Sequence, residues 1–548
     1  MINIWLIREE TGEEFHIKEQ GSMKTLLAIL QEQQIFIDAF CGGNGECTGC
    51  LVRFLEGIPE PTAKERRMLS DAQLQQGFRL ACAVNVGQSC KIILPSKERE
   101  KIAVLGQNLV NQTADKQMIG NPIESKKSAC NQMTHEYLRS AYGIAIDIGT
   151  TTLAAVLLDL SDGTQRASAS SVNHQRAYGA DVISRIQASN EGKGMLLQKS
   201  MQSDLQSLIE QLIQQERIAR EQIKRVVIAG NTTMCHLLRG LSCEGLGVTP
   251  FVPEDISLWD GTVNELLNTT CYQARAIIFP GISAFVGADI VAGIYASGMD
   301  ISEKKQMLLD IGTNGEMVLG GKDGLLVTSA AAGPVFEGGN ISCGMPGIPG
   351  AVTHVTLHDK AVNDASDIIS SYETIQNEPP VGLCGTGIID VTSELVRLKM
   401  IDENGNMAEP WFDNGISIAG EHVVFTQRDV REVQMGKSAI RAGIETLLME
   451  DAGDTSQIEV LLAGGFGYYM DVKKAIRIGL FPQSFDGKVK MIGNSALAGA
   501  VKFLTDDEAQ ARARIEKMIS HAREINLAMH PAFTDLYMQY MFFEEEDR

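Results

Sequence analysis

Nowhere in the 548 residues does an uninterrupted apolar run approach the roughly 18 that a membrane helix needs. Positive charge is scarce: 48 Lys and Arg face 69 Asp and Glu, a formal charge of −21. Such a chain repels phosphates, which argues against nucleic acid or an anionic membrane surface as partner. Met1–Glu10 alternates like a strand and lacks the charged and apolar regions of a signal peptide, so a cytoplasmic protein is expected. His174, His236, His354 and His358 have no ligand spacing, and the C-x2-C at Cys47 is followed neither by a second nor by paired histidines. Zinc frameworks are disfavoured accordingly.

What is present is globular in kind: 44% apolar and 21% charged residues, in a chain too long for a single core. Three or four domains are expected. Of the eleven cysteines, five fall between Cys41 and Cys90, and in a reducing cytoplasm such a cluster points to metal binding or catalysis rather than disulfides. Residues 1–95 read as a β-rich unit with a helix over Met23–Gln33, a T-x-x-E capping pattern at Thr62 and Glu65, and strands over Leu51–Leu55 and Phe78–Val86. Residues 96–140 are polar and aperiodic, as in a linker. From Tyr142 onward strands and helices alternate: apolar runs at Gly143–Ile148, Leu153–Leu158, Val226–Ala229, Ala276–Phe279, Met307–Leu309 and Val460–Leu462 are buried-strand candidates, and Leu205–Ile213 marks an amphipathic helix.

Cys41-x5-Cys47-x2-Cys50, with Cys82 further on, supplies the four thiolates that a [2Fe–2S] cluster needs. The glycines of the loop allow backbone N–H groups to point at the sulfides. The x5 spacing departs from the plant-type x4. Cys82, in Arg79-Leu-Ala-Cys82, is taken as the fourth ligand, with Cys90 as the alternative.

A second signal lies at two strand ends. Ile146-Asp147-Ile-Gly149-Thr150-Thr151-Thr152 and Leu309-Asp310-Ile-Gly312-Thr313-Asn314 share one pattern, 163 residues apart, as in duplicated domains. Each hairpin offers N–H and hydroxyl donors to phosphate, with a carboxylate for Mg²⁺ held through water. Gly464-Gly465-Phe466-Gly467 is a small-residue turn suited to adenosine, although Phe466 interrupts the glycines. Gly493–Ala496 reads as the second hinge segment, and Gly281–Ala284 or Gly287–Asp289 as the first. Asn231, in Gly230-Asn231-Thr-Thr-Met234, is placed near the phosphates. Asn173, Gln175, Arg185, Cys384–Gly387 and Glu337 are further cleft candidates, and Lys437 is a candidate for reaching adenosine.

The joint pattern resembles the reductive activators of corrinoid proteins, ferredoxins fused to an actin-like ATPase. It is carried by the Cys41 loop, Arg79–Cys82, Asp147–Thr152, Asn173-x-Gln175, Tyr178–Ile186, Gly230–Met234, Pro280–Asp289 and Leu462–Gly467. The resemblance implies a multidomain α+β and α/β protein. A β-grasp [2Fe–2S] ferredoxin, residues 1–95, would precede duplicated ribonuclease H-like domains of the actin-like ATPase, residues 141–302 and 303–548. It implies Cys41, Cys47, Cys50 and Cys82 as cluster ligands, and Asp147 and Asp310 as catalytic carboxylates. It further implies ATP and Mg²⁺ as cofactors, a corrinoid protein of a methyltransferase system as partner, an unidentified electron donor and a homodimer. The implied activity is ATP-dependent reduction of inactive Co(II) corrinoid to Co(I). Plant-type clusters sit near −400 mV, and each ~59 mV of shortfall costs tenfold in a one-electron equilibrium; ATP would make up the difference. Alternatives are an ATP-driven activator like those of the 2-hydroxyacyl-CoA dehydratases, a small-molecule kinase with a redox-sensing domain, or a nucleotide-governed docking switch without turnover.

Overall fold

The structure, a computed structural model, describes residues 2–8, 12–19, 24–33, 35–37, 39, 43, 45, 49–94, 141–358, 369–420, 422–451, 457–464 and 470–543. The expected linker, 96–140, lies outside them.

Alternation builds the first sheet. In β1 (Ile2–Arg8) Ile4 and Leu6 are fully buried, and their neighbours face outward. With β2 (Glu14–Glu19), β3 (Leu51–Glu56), β4 (Phe78–Leu80) and β5 (Cys90–Leu94) it forms a five-stranded sheet in the order β2-β1-β5-β3-β4, with β1 and β5 parallel. Helix α1 (Leu26–Glu32), capped by Thr25, lays Leu26, Leu27, Ile29 and Leu30 onto the same core. This is the β-grasp arrangement. The helix begins later than the sequence pattern suggests, because Thr25 accepts from the Ala28 N–H and starts it there.

The strand expected over Phe78–Val86 stops at Leu80. Ala83 donates back to the Leu80 carbonyl, and Ala81 donates to Cys50, so that residues 81–83 turn instead of continuing a ladder. Cys82 sits in that turn. Glu65, fully buried, locks it in place: its carboxylate accepts from Thr62 and from the Leu80 N–H at 2.8 Å. The expected capping pair Thr62–Glu65 is therefore also a tie to the cysteine segment.

Two further sheets follow. One contains β6 (Tyr142–Ile148), β7 (Thr152–Asp159), β8 (Gln165–Val172), β9 (Ile223–Gly230), β10 (Trp259–Thr262) and β11 (Arg275–Ile278), in the order β10-β11-β9-β6-β7-β8. Between its strands run α2 (Val182–Ala188), α3 (Gly194–Glu216) and α4 (Thr232–Arg239), and α5 (Ala288–Ser297) follows it. The third sheet starts with β12 (Gln306–Ile311), β13 (Gly315–Gly321) and β14 (Gly324–Ala330). A three-stranded sheet of β15 (Ala351–His358), β16 (Ile369–Thr374) and β17 (Gly382–Leu383) is inserted next, then α6 (Gly385–Arg397), a ribbon of β18 (Ile416–Ala419) and β19 (Val423–Phe425), and α7 (Gln427–Glu450). Strands β20 (Glu459–Ala463) and β21 (Val489–Gly493), α8 (Ser495–Thr505) and β22 (Ala522–Glu524) complete it, in the order β21-β20-β12-β13-β14-β22.

The duplication shows in the topology. Each of these sheets has a three-stranded antiparallel meander, β6-β7-β8 or β12-β13-β14, flanked on its first strand by two parallel strands, β9 and β11 or β20 and β21. That is the ribonuclease H-like plan, twice. Both Asp-Ile-Gly-Thr motifs fall at the first hairpin of their meander. Among the described residues no helix is long and apolar enough to cross a membrane.

Helices α5 and α8 pack face to face, and α8, although it follows β21, rests on β6 and β9 of the other sheet. The two halves are stapled by this pair. A Cβ at Gly499 would stand 2.1 Å from the Ala292 carbonyl oxygen, so the helices meet backbone to backbone. Gly499→Ala should therefore push them apart and cost about 1–3 kcal/mol. A thermal melt reads this as a Tm several degrees lower, and an unchanged Tm would contradict the contact.

Candidate functional site

The two hairpins open onto one cavity of about 380 Å³, whose lining includes Asp147, Gly149–Thr152, Asn231, Asp310, Gly312–Asn314 and Gly464. The sheets bring these together because each Asp ends the first strand of a meander, where the chain turns over the sheet edge.

The first hairpin is held from behind. Asn173 donates Nδ2 to the Gly149 carbonyl at 2.9 Å and its backbone N–H to Thr151 at 2.9 Å. Arg185 donates Nη2 to the Thr150 carbonyl at 2.7 Å and Nε to Gly179 at 2.9 Å. Three consecutive carbonyls are thus captured. A trans peptide sets its N–H opposite its C=O, so the N–H groups of Thr150 and Thr151 turn away from these donors, as in an anion-binding nest. Arg185 is no surface residue: it is fully buried, and burial lowers its pKa to about 9. Asn231 caps α4 and donates to the Thr150 hydroxyl at 3.1 Å.

Carboxyl groups dominate the cleft. Burial pushes Asp147 up to about 7, with Asn494 pulling the other way through a 2.7 Å hydrogen bond and Asp289 adding repulsion. Burial, then the charges of Asp289, Asp147 and Glu337, push Asp310 up to about 7. Asp289 rises to about 6 by burial. Glu316 and Glu337 also rise, again chiefly by burial, while Thr313 donates its hydroxyl to Glu337 at 2.6 Å. Such a set is suited to a cation that arrives with phosphate.

Gly464, with φ +85°, lies against Asp310: a Cβ there would come within 2.9 Å of its Oδ1. Gly465, Phe466 and Gly467 lie outside the described residues. Cys384 caps α6, and Cys384, Gly385 and Thr386 line the cavity. Lys437 is not brought to it. Its ammonium is fully buried elsewhere, donating to the carbonyls of Tyr540 at 2.6 Å and Phe542 at 2.7 Å and lying 4.8 Å over the Phe543 ring. The C-terminal segment takes up the charge, so the expected reach to adenosine fails.

Sequence reasoning did not single out Glu316 and took Asp289 only as part of a hinge. Glu316 stands in β13 amid apolar residues, and that misfit was a usable signal. Asn494, also read as a hinge, is the N-cap of α8 and the hydrogen-bond partner of Asp147.

In the first domain, Cys50 and Cys82 lie side by side. The hydrogen bond from Cys82 lowers the Cys50 thiol to about 7. A Cβ at Gly43 would touch Cys82 Cβ at 3.8 Å, which places Gly43 beside the same spot. Cys41 and Cys47 lie outside the described residues. Cys90 is buried in β5, where desolvation raises its thiol to about 11. A neighbouring pair with a lowered thiol pKa suits thiolate ligation of a cluster; Cys90 has the opposite character.

Residues 9–87 match a family described as a 2Fe-2S iron-sulfur cluster binding domain, 142–302 the RACo middle region, and 304–548 the C-terminal domain of RACo, the ASKHA domain. The chain is 33% identical over 441 residues to the corrinoid activation enzyme RamQ of Eubacterium limosum, covering 75% of this chain and 72% of that protein. It is 26% identical over 430 residues to a Methanosarcina barkeri protein named [Co(II) methylated amine-specific corrinoid protein] reductase, covering 72% and 76%. A solved reductive activator for corrinoid, iron-sulfur protein superposes over 100% of this chain and 99% of its own, with a TM-score of 0.66 and 26% identity.

The raised carboxyls set a pH dependence. If Asp147 and Asp310 hold Mg²⁺, protons compete with it for them, so Mg²⁺ affinity should rise between pH 6 and 8, with proton release on binding. Without Mg²⁺ the sign reverses. Folded carboxyls held above their unfolded pKa stabilise below about pH 4, and that stability is lost as pH rises through 7. Calorimetric titrations at several pH values check the first statement and melts in chelator the second; pH-independent affinity would refute the assignment.

Proposed function

This chain belongs to the family of reductive activators of corrinoid proteins, and from that premise we infer how its two sites share the work. The protein is an ATP-hydrolysing activase that passes one electron from its ferredoxin domain to an inactive Co(II) corrinoid, yielding Co(I). The observation that carries this reading is the presence, in one chain, of the Cys50–Cys82 pair and two facing hairpins that end in Asp147 and Asp310.

Cys41, Cys47, Cys50 and Cys82 hold the [2Fe–2S] cluster, which when bound supplies a one-electron donor of low potential. The N–H groups of Thr150 and Thr151, with Gly312–Asn314 opposite, would hold the phosphates, and Asp147 and Asp310 would hold Mg²⁺ through water. Glu337, fixed by Thr313, orients the attacking water. Gly464, with Gly465, Phe466 and Gly467 that follow it in the sequence, would take the adenosine. Because the two lobes set acidic groups against one another across the cleft, a bound cation with its phosphates would favour closure of the lobes. The lobes span 141–302 and 303–548, joined to the ferredoxin unit, 1–95, by residues 96–140.

The partner is a corrinoid protein of a methyltransferase system, and the setting is cytoplasmic. We take the active form to be a homodimer, reloaded by a separate electron donor.

The test is anaerobic. The protein, a Co(II) corrinoid methyltransferase component and a chemical reductant are mixed with and without Mg-ATP, and Co(I) absorbance is followed. Co(I) should appear only with ATP and should be lost, by at least a hundredfold in rate, in Cys82→Ala and Asp310→Ala. ATP-independent Co(I), or full activity in either variant, would overturn the assignment.

A further inference from the structure

The turn His174–Ala177 serves two neighbours at once. On one side its cap, Asn173, holds the carbonyls of Gly149 and Thr151 in the first phosphate hairpin. On the other side it carries the ferredoxin domain. Gln31, a buried residue of α1, donates Nε2 to the Ala177 carbonyl, and Phe36 packs on the His174 ring with centroids 5.3 Å apart. His174 is itself fixed by Asp204, which accepts from its backbone N–H at 3.0 Å and faces its Nδ1 at 2.6 Å.

Helix α1 reaches the cysteine segment directly. Leu27 donates its N–H to Ala81 and Leu26 to Val84, on either side of Cys82. Leu27 also stands 3.3 Å from the Cβ position of Gly43 in the cysteine loop. One helix and a short series of hydrogen bonds therefore connect Gly149 to the Cys82 turn: Gly149 to Asn173, Ala177 to Gln31, Leu27 to Ala81.

We propose that Gln31, Phe36 and His174 are positioning residues that dock the ferredoxin domain on the turn behind the first phosphate hairpin, so that nucleotide binding and docking favour each other. The physical reason is mutual ordering. Phosphate on the N–H groups of Thr150 and Thr151 fixes their peptides and sharpens the grip of Asn173 on the carbonyls behind. A fixed turn presents Ala177 and His174 to α1 in one geometry, which lowers the entropic cost of docking. Linkage requires reciprocity: docking must raise nucleotide affinity by the factor by which nucleotide favours docking. The proposal rests on the hairpin being a phosphate site, as inferred above, and not on the identity of the electron acceptor.

The experiment uses the cluster-loaded full chain and Gln31→Ala/Phe36→Ala, with an unchanged visible spectrum showing that the ferredoxin domain is intact. His174→Ala is the second variant, removing the contact from the ATPase side without touching the ferredoxin fold. A non-hydrolysable ATP analogue with Mg²⁺ is titrated calorimetrically, and amide hydrogen exchange is followed over residues 24–33. In the parent chain the analogue should slow exchange there several-fold. Both variants should lose that response and bind the analogue about five- to tenfold more weakly, with KM for ATP raised and kcat for ATP hydrolysis unchanged. Equal affinity and equal protection in parent and variants would overturn the proposal. No analogue binding by the parent would instead defeat the phosphate-site reading itself, and failure to reduce a corrinoid would touch neither result.

Discussion

A main-chain loop can hold an anion only if its own carbonyls are kept from it, because each exposed oxygen repels what the neighbouring N–H attracts. In this protein Asn173 and Arg185 meet that constraint at the first hairpin by binding the carbonyls of Gly149, Thr150 and Thr151. Both donors are fully buried, so their geometry is set by packing and not by solvent. Arg185 in turn requires Gly179 and the start of α2, and Asn173 requires the turn behind it. Much of the first lobe's polar interior exists to point one loop outward. A buried guanidinium directly behind the proposed phosphate site also adds a fixed positive charge without a side chain occupying the cleft.

The front of the cleft has the opposite character. Asp147, Asp289, Asp310, Glu316 and Glu337 are brought onto one cavity from both halves of the molecule; burial raises each of them, and neighbouring carboxylate charge adds to it at Asp147, Asp310 and Glu316. A site so arranged is under electrostatic tension until a divalent cation and its phosphates relieve it. Because Asp147 and Asp310 belong to different sheets, that tension acts on the separation of the lobes, and the stapled pair α5–α8 carries Asp289 at one end and Asn494 at the corresponding end of its partner. On the function proposed, cation loading and lobe closure would be one process seen from two directions.

The elements legible in the sequence were those with local causes. An apolar run ending in Asp-Ile-Gly-Thr announces a strand and its turn, and the repeat of that pattern announces the duplicated sheet. The C-x5-C-x2-C spacing announces thiolate ligation in the same way. The strand at Phe78 was overrun because the turn at Ala81–Ala83 is imposed by Cys50, thirty residues earlier, through a backbone hydrogen bond that no local pattern encodes. Arg185 looked equally suited to a helix surface, since its partners at Thr150 and Met234 are distant in the sequence. Lys437 pointed to adenosine for the converse reason: the carbonyls that claim it lie about a hundred residues downstream. Helix and strand periodicity report which face is buried, not against what.

That last arrangement bears on biosynthesis. The Lys437 ammonium is buried at the middle of α7, and its ligands are the carbonyls of Tyr540 and Phe542, with Phe543 covering it. A buried ammonium without such ligands costs several kcal/mol. While the ribosome is still making residues 440–540, α7 must either keep that face in water or pay for burying it. The ferredoxin unit can settle as it emerges, but the first lobe still lacks α8, whose Leu497, Ala500 and Phe503 belong to its core, and the second lobe has to wait for residues 540–543 to arrive before its core can shut.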